Sequence, residues 1–266
     1  MAHDVTVREL AGIQEMTAAS TLWDQIWLRA EAGHEVDPSL MVALSHAGSY
    51  LGGAFAGETL IGAALGFWGS PGYGALHSHI TGVLPAFAGR GVGSLIKNHQ
   101  RDWVLAQGGG AITWTYDPLV SRNAHFNLNR LGARPESYLP DLYGALADDL
   151  NRGDPSDRLV VRWDLTTTPR PASSRPSAAL VVARDGVPAV GTTLDDIDPS
   201  TPLTVAVPDD ITDLRRRDPA TASLWRTAVR EALVPLFDRG WSITGFDRSH
   251  GYRLEAPSPG TSDDAP

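Results

Sequence analysis

No cysteine occurs anywhere in the 266 residues. That single absence excludes disulfides, thiolate nucleophiles and cysteine-ligated zinc. Positive charge is also scarce: 22 Lys and Arg stand against 31 Asp and Glu, a formal net charge of −9. A general nucleic-acid surface needs clustered cations, so no nucleic-acid partner is expected, while a local pocket for one small anion stays open. No apolar run approaches the roughly 18–20 residues of a membrane span, so no membrane partner is expected. The opening MAHDVTVREL lacks the basic and apolar regions of a signal peptide, which makes the cytoplasm the expected location. What remains is 42% hydrophobic and 20% charged, the profile of a globular protein with ample core.

Periodicity divides the chain. VTVREL (5–10) alternates like a strand, and Ile13, Met16, Leu22, Trp23, Ile26 and Trp27 follow at helical spacing. SYLGGAFAGETLIGAALGF (49–67) predicts two strands joined at Gly57-Glu58. ALHSHITGVLP (75–85) predicts another strand, ending at Pro85. Val92, Leu95, Ile96, Trp103 and Val104 then mark a helix stopped by Gly108-Gly109-Gly110. AITWTYDP predicts a strand, Ser121 to Leu131 a short helix closed by Gly132, and RLVVRWDL (158–165) a strand. Residues 1–165 thus read as one α+β domain with a mostly sequential sheet.

TTTPRPASSRPSAA (166–179) has no apolar periodicity and predicts a linker. Beyond it, 178–256 predict a small α+β extension. Its strands are ALVVARDGVPAV and PLTVAVP, its helix is capped by Asp218-Pro219, and WSITGF and YRLEA make a hairpin. Pro235 predicts a kink or early end in that helix. RRR at 215–217 reads as a solvated segment leading into it, and residues 257–266 as a disordered tail.

The stretch GVLPAFAGRGVGS (82–94) carries three glycines around one arginine, just ahead of the amphipathic run. Bare backbone at a helix N-terminus can present unpaired N–H groups to an anion, and Arg90 adds a cation. A P-loop is absent, because no GxxxxGK followed by Ser or Thr occurs. A dinucleotide fingerprint fits Gly89 and Gly91 but meets Ser94 where its last glycine belongs. Pro85-Ala86-Phe87-Ala88 also separate the glycines from the strand end, which disfavours an NAD-dependent enzyme. A plain turn without ligand stays open.

A strand ending V-x-P, a few residues and then R-G-x-G opening an amphipathic helix resembles the acyl-CoA-binding motif of the GNAT N-acyltransferases. Gly91 and Gly93 match the motif's glycines, whereas Ala88 occupies its Gln or Arg position. The element order over residues 5–165 agrees. HSHITGVLP, WTYDPLVSRNAHFNLNRLGA, DLYG, SDRLVVRW, VPDDI, LWRTAVRE and YRL resemble one branch of GNAT proteins of about this length. The resemblance implies a mixed, mostly antiparallel central sheet flanked by helices, plus the small C-terminal extension. It implies acetyl-CoA or another acyl-CoA as co-substrate, with the pyrophosphate on the amides around Arg90, Gly91, Val92, Gly93 and Ser94, and Ala88 and Gly89 also among the cofactor-binding residues. The pantetheine would run beside Gly82 and Val83, and Asn123 and Asn127, four apart on one helix face, would contact donor or acceptor.

Aminolysis of a thioester needs a base for the amine's proton, and the thiolate benefits from an acid. His77, His79 and Thr81 share one strand face by alternation, with Ser78 opposite. The two histidines stand where the family often carries a glutamate, and imidazole suits proton transfer at neutral pH. Buried structural histidines are the plainer reading. A His-x-His zinc site lacks a convincing third ligand, so no metal is expected. The family's usual tyrosine acid falls at Leu128 here, leaving Tyr116 as substitute. Asp117 reads as a helix cap or an amine contact, Asn129 as solvated. Arg134, Tyr138, Tyr143, Asp157 and Arg158 lie where the family often forms an acceptor wall; a salt bridge within the fold explains Arg158 equally well. The expectation is an N-acyltransferase passing a short acyl group to a small-molecule amine, amino acids among the candidates, with a homodimer as candidate assembly. The alternative is a CoA- or ligand-binding protein without turnover.

Overall fold

A computed structural model describes residues 5–27, 34–70, 72–144, 153–167, 175–194, 197–198 and 200–257. The predicted linker and tail fall largely outside these. The chain divides into two compact units, residues 1–114 with 163–167, and residues 115–162 with 168–266. Among the described residues no helix is long and apolar enough to cross a membrane.

In the first unit β1 (Val5–Glu9), β2 (Tyr50–Ala56), β3 (Thr59–Trp68), β4 (Leu76–Val83) and β5 (Ala111–Tyr116, of which Trp114 is this unit's last residue) lie in numerical order. Each pair is antiparallel except β4 with β5, which is parallel. The predicted hairpin is present: Ala56 pairs Thr59 across Gly57-Glu58, and Gly57 takes φ 63. Helix α1 (Gly12–Trp27) buries Met16, Ala19, Leu22 and Trp23 against Leu51, Ala63, Leu65 and Ile80. Each large apolar side chain so buried contributes roughly 1.5–3 kcal/mol. Helix α2 (Pro38–His46) has no counterpart among the predicted elements, although Asp37 caps it and Pro38 opens it by ordinary start chemistry.

Helix α3 (Val92–Ala106) packs on the other sheet face, over two glycines of β3. A Cβ at Gly62 would lie 2.9 Å from Ile96, and one at Gly66 would lie 3.0 Å from Gln100. The missing side chains let the helix come close, which brings its polar residues within reach of β4.

The second unit holds α4 (Ser121–Ala124), which continues as a π-helix over His125–Arg130, and the antiparallel pair β6 (Arg134–Leu139) and β7 (Arg158–Asp164, its last two residues returning to the first unit). It also holds a five-stranded mixed sheet in the order β11-β12-β10-β8-β9. The strands are β8 (Ala178–Arg184), β9 (Val187–Val190), β10 (Leu203–Val205), β11 (Ser242–Asp247) and β12 (Gly251–Glu255). Helices α5 (Ile211–Arg217) and α6 (Pro219–Asp238) complete it, with the predicted Asp218 cap in place. Helix α6 does not end at Pro235. The proline sits in the last turn, where little helix remains to lose, and Arg239 N–H reaches its carbonyl at 3.2 Å.

The RRR segment is not simply solvated. Arg216 and Arg217 pair with Asp213 at the surface, but Arg215 is buried. With Arg226 it clamps two carboxylates: Asp117 accepts from Arg215 at 2.7 Å and Arg226 at 2.8 Å, and Asp154 from the same two at 2.7 and 2.9 Å. All four side chains are at most 8% exposed. Asp117 also accepts from the Leu119 N–H, as the cap reading expects. Burial opposes the Asp117 charge, but the flanking guanidiniums win and hold its carboxyl down at about 2. The stability it contributes is therefore complete above the unfolded value near 3.9 and lost as pH falls through about 2. Asp117→Asn is expected to cost about 3–5 kcal/mol in denaturant unfolding at neutral pH, because two guanidiniums lose a buried counter-ion. The gap between the two proteins should close between about pH 4 and pH 2.

Candidate functional site

The parallel ladder between β4 and β5 consists of Leu76↔Ile112 and His77↔Thr113. From Ser78 to Val83, β4 runs on without that partner, leaving one backbone edge unpaired. The β3–β4 ladder shifts register between Leu65 and Gly66, so His79 is an extra residue in β4. This bulge reverses the side-chain phase. Ser78 reaches Lys97 of α3, yet four residues on Gly82 faces Trp23, Ile26 and Trp27 of α1, and Val83 lies beside Gly62 on the α3 side.

The bulge corrects the expected face. His77 and His79 do stay together, with ring centroids 6.3 Å apart and each within 6 Å of Phe67. Thr81 turns to the α3 side, where its hydroxyl is buried without a partner among the described residues. Desolvation lowers the pKa of both histidines. His79 and Lys97 reinforce this at His77, whereas the Glu35 carboxylate opposes it at His79. Both imidazoles are thus largely neutral at pH 7, the form that accepts a proton.

After β4 the chain makes one 3₁₀ turn at Pro85–Phe87, and Ala88 is extended. Gly89 and Gly91 take φ 74 and 84, backbone that favours glycine, and Gly91 caps α3 with no side-chain bond. Leu95 N–H is bonded to Gly91 C=O at 3.1 Å, so the N–H groups of Val92, Gly93 and Ser94 have no acceptor inside the helix. Arg90 is exposed, its guanidinium 5.5 Å from the Phe87 ring centroid. An exposed, uncapped helix start beside an unpaired strand edge can hold an anion and an amide-bearing arm.

Lys97 belongs to no motif that the sequence displays. It lies on α3, is 4% exposed, and donates to Ser78 Oγ at 2.7 Å and Gln100 Oε1 at 3.2 Å. Its ammonium sits 4.2 Å from the Trp114 ring centroid. Burial pushes it down to about 7.

The remaining candidates belong to the second unit. Tyr116 is buried, its phenol beside that of Tyr252, and burial pushes its pKa up. Tyr252 in turn donates to Pro118 C=O at 2.7 Å. Asn123 is exposed and Asn127 buried, so they do not share one environment. The π-helix over His125–Arg130 breaks the four-residue alignment that the sequence implies. Asn129 is exposed, as the solvated reading expects, and its amide also brackets Phe246, donating to the carbonyl at 2.7 Å and accepting from the N–H at 3.3 Å. Asp157 accepts from Tyr138 and Arg230, and Arg134 donates to Thr244 C=O. Arg158 makes no carboxylate pair among the described residues. It donates to Asp157 C=O and lies over Tyr143. Among those residues no group of three His, Asp or Glu could hold a metal.

No family model and no curated protein matches the sequence. Solved structures do match. A candidate acetyltransferase from Salmonella typhimurium, solved with its cofactor acetyl-CoA, aligns at TM-score 0.50 and 17% identity, covering 64% of this chain and 98% of that one. An acetyltransferase of the GNAT family from Streptococcus pneumoniae gives 0.49 and 12%, covering 60% and 98%. An N-acetyltransferase from Staphylococcus aureus gives 0.49 and 15%, covering 61% and 99%. Over the 64% of this chain that aligns with the Salmonella structure, the α+β architecture is the GNAT fold, as the sequence resemblance implied.

The buried ammonium makes a stability prediction. Lys97 is uncharged in the folded protein above about pH 7 but charged in the unfolded chain up to its ordinary value of 10.5. Stability should therefore rise between those two pH values and be flat below the first. Lys97→Met is expected to stabilise the protein by about 1–4 kcal/mol at pH 6, with the gain vanishing above pH 10, read from thermal unfolding across pH.

Proposed function

We propose that the protein is an acyl-CoA-dependent N-acyltransferase that passes a short acyl group to the amine of a small molecule. The observation that carries this reading is the parting of β4 from β5 next to the uncapped start of α3, within a GNAT fold. The donor's pyrophosphate lies on the N–H groups of Val92, Gly93 and Ser94, with Arg90 alongside. Its pantetheine takes the unpaired edge of β4 from Val83 back toward Ser78. A backbone N–H near the bulge polarises the thioester carbonyl.

The chemistry conserves its atoms simply. The acceptor nitrogen attacks the thioester carbon, an N–C bond forms, and the C–S bond breaks. The amine's proton passes to a neutral imidazole, His79 or His77, and CoA leaves as a thiolate that takes up a proton. A thiolate is a good leaving group, so the step does not depend on Tyr116 acting as acid. Ala88 stands where the motif has Gln or Arg, and this reading assigns it a backbone role only.

The test is CoA release from acetyl-CoA with a panel of primary amines. Turnover with at least one amine is expected, with an acid limb in kcat/KM whose midpoint lies below 6.5, the ordinary histidine value. His79→Ala or His77→Ala should lower kcat by roughly 10²-fold. Full turnover in both variants overturns the base assignment. Tight CoA binding without release for any amine favours the binding protein instead.

A further inference from the structure

Lys97 is the only lysine in the chain: every other member of the 22 Lys and Arg is an arginine. It is also buried, and among the described residues it has no carboxylate partner. Its position is specific. Ser78 is the first residue of β4 beyond the ladder with β5, and Trp114 is the first of β5 beyond it. Lys97 touches both, the hydroxyl at 2.7 Å and the ring centroid at 4.2 Å. Its amine therefore fills the closed end of the wedge between the two strands.

The groups around it have donors to spare. Gln100 gives its Oε1 to Lys97, while its Nε2 is buried with no acceptor among the described residues. The Ser78 hydroxyl, Lys97 ammonium and Gln100 amide together carry six N–H and O–H hydrogens. Two oxygens are all they offer each other. A carboxylate, with two oxygens and a negative charge, supplies what this cluster lacks.

We propose that Lys97 selects a donor whose acyl group ends in a carboxylate, a short dicarboxylic acyl-CoA of the malonyl or succinyl kind. This rests on the transferase reading, because the direction of the donor sets which end meets Lys97. Helix α3 begins beside Val83 and passes Ser78 further along, so a donor anchored at Val92 lies antiparallel to β4. The six residues from Val83 to Ser78, five steps of strand, span about 17 Å, a length an extended pantetheine arm covers. The acyl group is the end that reaches the wedge. An acetyl group leaves the ammonium without a counter-ion, whereas a dicarboxylic one brings it. An arginine would not serve equally, since its fixed planar fork is bulkier and cannot shed its proton when the wedge is empty.

A single lysine makes a direct test possible. In protein labelled with ¹⁵N-lysine, only Lys97 contributes a side-chain Nζ resonance. Its titration is followed with acetyl-CoA, malonyl-CoA and succinyl-CoA in turn. The expected result is a titration midpoint raised by at least one pH unit with a dicarboxylic donor and not with acetyl-CoA. Turnover should favour the dicarboxylic donor at least tenfold in kcat/KM, and Lys97→Met should collapse that ratio. Equal midpoints with all donors, or acetyl turnover with no dicarboxylic preference, overturns the assignment and leaves the transferase reading standing. Donor binding without CoA release from any donor overturns the transferase reading instead. If Lys97→Met does not fold, the wild-type titration and donor ratio still decide.

Discussion

The candidate site depends on the brevity of one strand pairing. β4 and β5 share two residue pairs and then separate, and the site's other features stem from that parting. Backbone groups of β4 lose their ladder partners, and unpaired groups of that kind must find a ligand or water. The bulge at His79 falls in the same stretch and swings Gly82 toward α1. Two β3 glycines let α3 approach, so its N-terminus opens beside the end of β4 and its buried face reaches the closed end of the wedge. Lengthening the pairing by a few residues would cover the edge and shut the wedge together.

Much of this is legible in the residues, and the failures have physical causes. Gly57-Glu58 and Asp218-Pro219 act through local backbone preference, so their turn and cap are visible without tertiary information. The glycines of 89–93 are visible for the same reason, because positive φ selects glycine wherever it occurs. A bulge leaves no such trace. Period-two alternation from His77 predicts that Thr81 joins the histidines, and only the register with β3 shows the phase reversed. The π-helix at His125–Arg130 similarly defeats a four-residue rule that is sound for α-helices. Arg215 misleads in another way. A run of three arginines resembles solvent-facing charge, and its burial depends on Asp117 and Asp154, 98 and 61 residues away in sequence.

That cluster shows how the second unit treats charge. Two carboxylates and two guanidiniums are buried together with multiple bonds each, so the net charge of the group is zero and most of its polar atoms are satisfied. Replacing the set by apolar residues could be neutral or stabilising, yet removing one member leaves an uncompensated charge. The geometry therefore specifies an arrangement more than it adds stability. It ties segments at 117, 154, 215 and 226 into one core, which a generic apolar contact would do with less discrimination.

Lys97 breaks the pattern set by those arginines. Where the second unit buries cations, it buries matching anions; where the first unit buries its one lysine, it offers a hydroxyl, an amide oxygen and a ring face. Those partners satisfy hydrogen bonds but do not neutralise charge, so desolvation dominates and the ammonium gives up its proton near neutrality. A permanently structural cation would be better served by a carboxylate, and a purely apolar filler by methionine. A lysine with neutral partners is suited to a site where the counter-ion is absent part of the time. It can wait uncharged in the closed wedge and become charged when a negative group arrives, so the desolvation penalty is paired with an attraction that exists only in the loaded state.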